Sequence, residues 1–133
     1  MPNEEIIKAL LQLADERLKT GKRDLRAQAY RDAATRAYYA MFHATSALLN
    51  AMELQFKSHK GTVGLFGEHV VKAGLVEEEY GRMLNKSLDL RETADYKVTK
   101  EVTVKEARDA VASAEKFVSR IKELLKSKHG IGG

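Results

Sequence analysis

The 133-residue chain contains no cysteine. That absence excludes a disulfide framework, a thiol nucleophile and any thiolate metal site, and it suits a reducing compartment. Proline occurs once, at Pro2, so no helical pattern further along is interrupted. No apolar stretch reaches the ~18 residues needed to cross a bilayer. The opening "MPNEEIIKALL" is acidic where a secretory signal would be basic. Together these lead us to expect a soluble cytoplasmic protein with no membrane contact. Metal chemistry is not expected either. His59 and His69 are ten apart, and no two histidines have a metal-helix spacing such as i, i+4. "GTVGLFG" has glycines but neither the order nor the following Lys-Ser/Thr of a phosphate-binding loop, and no cofactor is expected.

What is present fits one domain that can bury roughly two-thirds of its unfolded surface. The net charge is +4 with a pI near 9.3. This mild basic excess permits contact with nucleic acid or other anions, although both signs are scattered along the chain. The helical patterns number five. Asn3 is positioned to cap a first helix, with Ile6, Leu10, Leu13 and Leu18 at helical spacing and Thr20-Gly21 as its expected end. A long second helix is expected from about Asp24 to about Met52, a third over 59 to 73 ending at Gly74, and a fourth from about Glu77 to about Tyr96. "KVTKEVT" reads as a loop, after which Thr103 with Glu106 forms a capping box for a last helix reaching about Ser127. The chain therefore reads as an all-α, up-and-down bundle, with 1–128 as its one domain and the glycine-rich 129–133 as a flexible tail. "KFVSRIKELLKSK" has a core face and a basic solvated face.

The second helix carries the candidate chemistry. Residues rotate by about 100° per step, so Arg36 and His43 lie within about 20° of each other, two turns apart. Tyr38, Met41, Phe42, Leu48, Leu49 and Met52 crowd one side, as a core face would. The other side carries Asp32, Arg36, Tyr39, Ala40, His43, Ala47 and Asn50. Alanines beside a few polar groups suggest close approach of another backbone, and a second copy of the chain is the simplest occupant. Asp32 is spaced to hold Arg36, and Tyr39 to orient His43. Histidine can move protons near neutral pH, and arginine can clamp a phosphate in two places. Such a pair suits attack of an RNA 2′-hydroxyl on its neighbouring phosphate, and a two-fold dimer would supply a second histidine.

Two further stretches bear on the site. In "KSHKG", Ser58 can cap the third helix while Lys57, His59 and Lys60 place positive charge at its start, a possible phosphate or RNA contact as well as an ordinary capped turn. In "RETADY", Arg91 and Asp95 have ion-pair spacing with Tyr96 closing the helix; the group reads either as a structural pair or as support beside Arg36 and His43.

"YRDAATRAYYAMFHATSALL", followed by "KSHKGTVGLFGEHVVKAG" and "LDLRETADY", resembles the HEPN domain family over most of the chain. The resemblance implies a small helical domain, typically dimeric. Many members are similar to metal-independent endoribonucleases with an arginine and a histidine, four to six residues between them, at the dimer interface. Arg36 and His43 have six between them. Family ribonucleases often carry a polar residue directly after the arginine, where this chain has Ala37. Other members are non-catalytic modules that bind nucleotides, RNA or a protein, often beside a separate nucleotidyltransferase.

Overall fold

The computed structural model describes residues 2–132. Five α-helices account for the order: α1 Glu4–Arg26, α2 Tyr30–Ala51, α3 His59–Phe66, α4 Glu78–Tyr96 and α5 Val104–His129, with a π-helical turn, Gly67–Val71, continuing α3. No strand occurs among the described residues. The bundle is all-α, as the sequence pattern predicts.

Two of the helix starts form as the sequence dictates. Asn3 Oδ1 accepts from the amides of Glu5 and Ile6 at 3.1 and 3.3 Å, using two of the donors that a helix start leaves free. Thr103 and Glu106 close the expected box, with the Glu106 amide donating to Thr103 Oγ1 at 3.1 Å and the Thr103 amide to Glu106 Oε1 at 3.0 Å. At the other end of α5, Gly130 takes φ +66 and ends the helix. The Ile131 amide then bonds Leu125 O at 3.2 Å and the Ile131 side chain is buried, within the stretch expected to be a flexible tail.

The first hairpin departs from expectation. α1 does not stop at Thr20-Gly21; it runs on to Arg26, and α2 begins at Tyr30, not near Asp24. The turn lies between them, with Gln28 at φ +63. The buried row of α1 starts one residue later than the pattern suggests. Ile7, Leu11, Ala14 and Gly21 are buried, with Leu18 and Leu25 packed at the edge, while Ile6 is half exposed. That row has the spacing 4-3-4-3-4. So does Ala33–Ala37–Ala40–Ala44–Ala47–Ala51 on α2, every member of which is buried. Gly21 sets the register: a Cβ built there would meet Arg36 Cβ at 3.3 Å and Ala33 O at 3.7 Å. Gly21 costs the helix ~1 kcal/mol against alanine, which the close approach of α2 offsets.

The alanine stripe of α2 does not face a second copy, contrary to expectation. Ala40 and Ala47 are fully buried within the chain, in the seam that α1 covers. The small residues do admit a close backbone, but the backbone is that of α1. α2 is the central helix, packed against α1, α5, α4 and α3. That placement explains its long apolar run.

α4 is tied to the middle of the bundle by Arg31. Its Nη1 donates to Thr93 O at 3.2 Å and to Ala94 O, and its Nη2 donates to Lys100 O. The bond to Ala94 satisfies a carbonyl that the end of a helix leaves free, Thr93 O also accepts from the Lys97 amide at 3.1 Å, and both bonds place a cation at the helix's negative pole. On α5, Phe117, Val118, Ile121, Leu124 and Leu125 form the buried face and the lysines lie outside. No described helix is long and apolar enough to cross a membrane.

Candidate functional site

On α2 the polar stripe splits in two. Its alanines turn inward; Asp32 and Arg36 are exposed and Tyr39 and His43 are half-buried. Arg36 makes no ion pair or hydrogen bond with any described residue. The expected Asp32–Arg36 pair is therefore absent, although both side chains leave the same face. Ala37, one step on, is 1 % exposed and its amide nitrogen lies 3.8 Å from the Cβ position of Gly21. A polar side chain at 37 would be buried against α1.

His43 points its Nδ1 into the protein, where it is buried without a hydrogen-bond partner among the described residues. Its Nε2 is the nitrogen left accessible. Burial, then the Arg17 guanidinium of α1, then His59 hold the imidazole below its ordinary value of 6.5. His43 is thus neutral near pH 7, the form that accepts a proton. The Tyr39 ring lies 6.1 Å from it, tilted by 34°, and contacts it by packing without a hydrogen bond.

The start of α3 comes to the same place. Ser58 caps α3, its Oγ accepting from the Gly61 amide at 2.9 Å. This sets His59 as the first helical residue, between the exposed Lys57 and Lys60. The His59 ring stacks on Phe42 at 4.3 Å and lies 5.9 Å from Tyr39. Its Nδ1 is 2.6 Å from the hydroxyl of Tyr38, which is fully buried. Burial and then the Arg91 cation hold His59 below 6.5. Phe56, from the loop before α3, closes the edge of Phe42 at 6.5 Å.

α4 supplies the third wall. The Arg91 guanidinium lies 5.2 Å from the Tyr38 ring centre and 5.8 Å from that of Tyr39. It pairs with Asp95 at 3.4 Å. Asp95 also accepts from Thr35 of α2 at 3.4 Å. The Arg91–Asp95 ion pair therefore exists and its arginine stands over the aromatic rings beside the histidines. Of the two readings the sequence offers, the ion pair is the one seen directly.

The structure brings His43, His59, Tyr38, Tyr39, Phe42 and Arg91 into one cluster. Arg36 lies about 10 Å along α2 from His43, at the seven-residue rise of a helix. Asp32 lies apart. Arg17 and the Tyr38–His59 bond are not legible in the sequence. Nothing local marks Arg17, and a contact 21 residues apart has no periodic signature. Arg17, Arg36, Lys57 and Lys60 form no ion pair among the described residues, and uncommitted cations of this kind suit a phosphate backbone. No group of three metal-binding side chains is assembled among the described residues.

Comparison with known proteins gives a consistent picture. The HEPN domain model matches residues 7–124. The chain is 45 % identical to "Putative toxin MJ0605" of Methanocaldococcus jannaschii over 122 residues, covering 92 % of this chain and 90 % of that one. It is 34 % identical to a "UPF0332 protein" of Thermotoga maritima, covering 92 % of each. It is 28 % identical to "Putative toxin MJ0142" of M. jannaschii, covering 96 % of this chain and 86 % of that protein.

Proposed function

Since the chain belongs to the HEPN domain family, we propose that it is a toxin-like, metal-independent endoribonuclease that acts as a two-fold dimer through the face bearing Arg36 and His43. The observation that carries this reading is the placement of His43: Nδ1 buried and Nε2 accessible, neutral near pH 7, on the helix face that carries the uncommitted Arg36 two turns away. His43 Nε2 takes the proton of an RNA 2′-hydroxyl. The O2′–P bond forms as the P–O5′ bond breaks, and Arg36 stabilises the charge that builds on the phosphate oxygens. The departing O5′ takes a proton from the His43 of a second copy, which acts in its imidazolium form, the minor form at pH 7, and this division of roles is why the dimer matters. The products are a 2′,3′-cyclic phosphate and a 5′-hydroxyl. The test is end-group analysis of RNA incubated with the purified protein in EDTA. Cyclic phosphate ends support the reading, and 3′-hydroxyl ends oppose it.

A second reading is favoured by one observation. Arg36 has no acidic partner among the described residues to fix its guanidinium, whereas a catalytic clamp gains from being held in place. In this reading the same face binds RNA, a nucleotide or a protein without cutting, and its partner is a separate nucleotidyltransferase-type protein. Intact RNA together with a stoichiometric complex would favour it.

A further inference from the structure

His59 is bound on one side by a group that fixes its proton. Tyr38 is fully buried, and its hydroxyl has His59 Nδ1 as its one hydrogen-bond partner among the described residues. A buried phenol proton needs an acceptor, and that nitrogen is the one in place to take it. Tyr38 therefore donates and Nδ1 accepts. Burial raises the phenol well above its usual value, against the pull of Arg91, so the hydroxyl keeps its proton. A neutral imidazole with a bare Nδ1 carries its proton on Nε2. That nitrogen has no partner among the described residues and is accessible. Protonating Nδ1 would strand the phenol hydrogen and place a second cation near Arg91, which stands over the Tyr38 ring. Phe42, stacked on the ring at 4.3 Å, restrains it in that orientation.

His43 lies across the same aromatic wall. Tyr39 is within about 6 Å of both imidazoles, and so is Phe42. The two histidines thus present different functions from one protomer: His43 an unfixed nitrogen able to take a proton, His59 a fixed N–H. We propose that His59, locked as its Nε2–H tautomer, is a phosphodiester-binding residue of this site, with Tyr38 and Arg91 as its positioning residues. The ligand class is a nucleic-acid backbone phosphate, which the neutral N–H donates to without needing to be charged. The assignment rests on the nuclease reading only for the chemical step after binding; the donor itself serves a non-cutting RNA binder equally well.

The test uses the whole protein and a single-stranded 2′-deoxy oligonucleotide in EDTA, which lacks the attacking hydroxyl and cannot be cut by this chemistry. Nitrogen-15 NMR of the imidazoles should show His59 with a protonated Nε2 and a bare Nδ1. Adding the oligonucleotide should shift Nε2 more than Nδ1. His59→Ala should weaken binding by about tenfold or more, the scale of a hydrogen bond to a charged group, and His59→Gln, which keeps an N–H donor, should recover part of it. Tyr38→Phe should release the tautomer, giving mixed nitrogen shifts and an upward-moved titration, while the helical content is kept. A proton on Nδ1 in the free protein, or binding unchanged in His59→Ala, overturns the proposal. RNA left uncut by a wild type whose His59 signal responds to the oligonucleotide would remove the nuclease reading and leave this one standing.

Discussion

A Cβ on Gly21 would stand 3.3 Å from the Cβ of Arg36, so the arginine proposed as phosphate clamp leaves α2 where the α1 backbone packs tightly against it. Its stem is placed by helix packing and not by an acidic neighbour. Gly21→Leu should therefore push the hairpin apart, lowering stability by about 1–3 kcal/mol in urea titration. It should also displace Arg36, so RNA binding should weaken under conditions where the variant is fully folded. Unchanged stability would mean that α1 can withdraw without loss.

Ala47 lies in the alanine seam of the same hairpin, fully buried. A charge there has no partner, and Ala47→Glu should cost about 3–5 kcal/mol, a large part of the roughly 5–15 kcal/mol typical of a domain. The expected result is a much lower urea midpoint at every protein concentration. A folded monomer of ordinary stability would instead place Ala47 in an interface between copies.

Asp32 and Arg36 share a face of α2 without an ion pair. Asp32→Ala should leave RNA cleavage within about twofold of wild type, the scale of a weak exposed charge contact. A loss comparable to that of Arg36→Ala would show that the carboxylate engages the guanidinium once RNA or a second copy is bound.

Both histidines are held below 6.5, His43 by burial and then Arg17, His59 by burial and then Arg91. The unfolded chain then binds protons more readily than the folded one. Their contribution to stability is complete above pH 6.5 and is lost as the pH falls below that value through the folded pKa. Unfolding free energy measured from about pH 7 to about pH 5, above the main carboxylate range, should decline for the wild type and decline less for the His43→Gln, His59→Gln double variant. Equal slopes would contradict the burial argument.

Local chemistry is the part legible from sequence alone. The Asn3 cap, the Thr103–Glu106 box, the Ser58 cap and the Arg91–Asp95 spacing all lie within four residues, and each forms as its spacing dictates. The seven-residue interval from Arg36 to His43 likewise puts both on one face of α2. Gly21 misleads because a glycine after Thr20 carries the signal of a helix end, and only the approach of α2 reveals its other use. Ala40 and Ala47 mislead for the converse reason: a row of small residues says that a backbone comes close and does not say whose. The pairing of Tyr38 with His59, Arg17 beside His43 and the Arg31 bonds to the end of α4 depend on tertiary approach, for which the sequence holds no periodic mark.

The most direct test of the proposed ribonuclease is RNA cleavage in EDTA by the wild type beside Arg36→Ala and His43→Ala, with helical content and oligomeric mass measured on each. Cutting by the wild type, lost in both variants at unchanged fold and mass, is the predicted result. Cutting that survives His43→Ala, or a wild type that leaves varied RNAs intact, would contradict it.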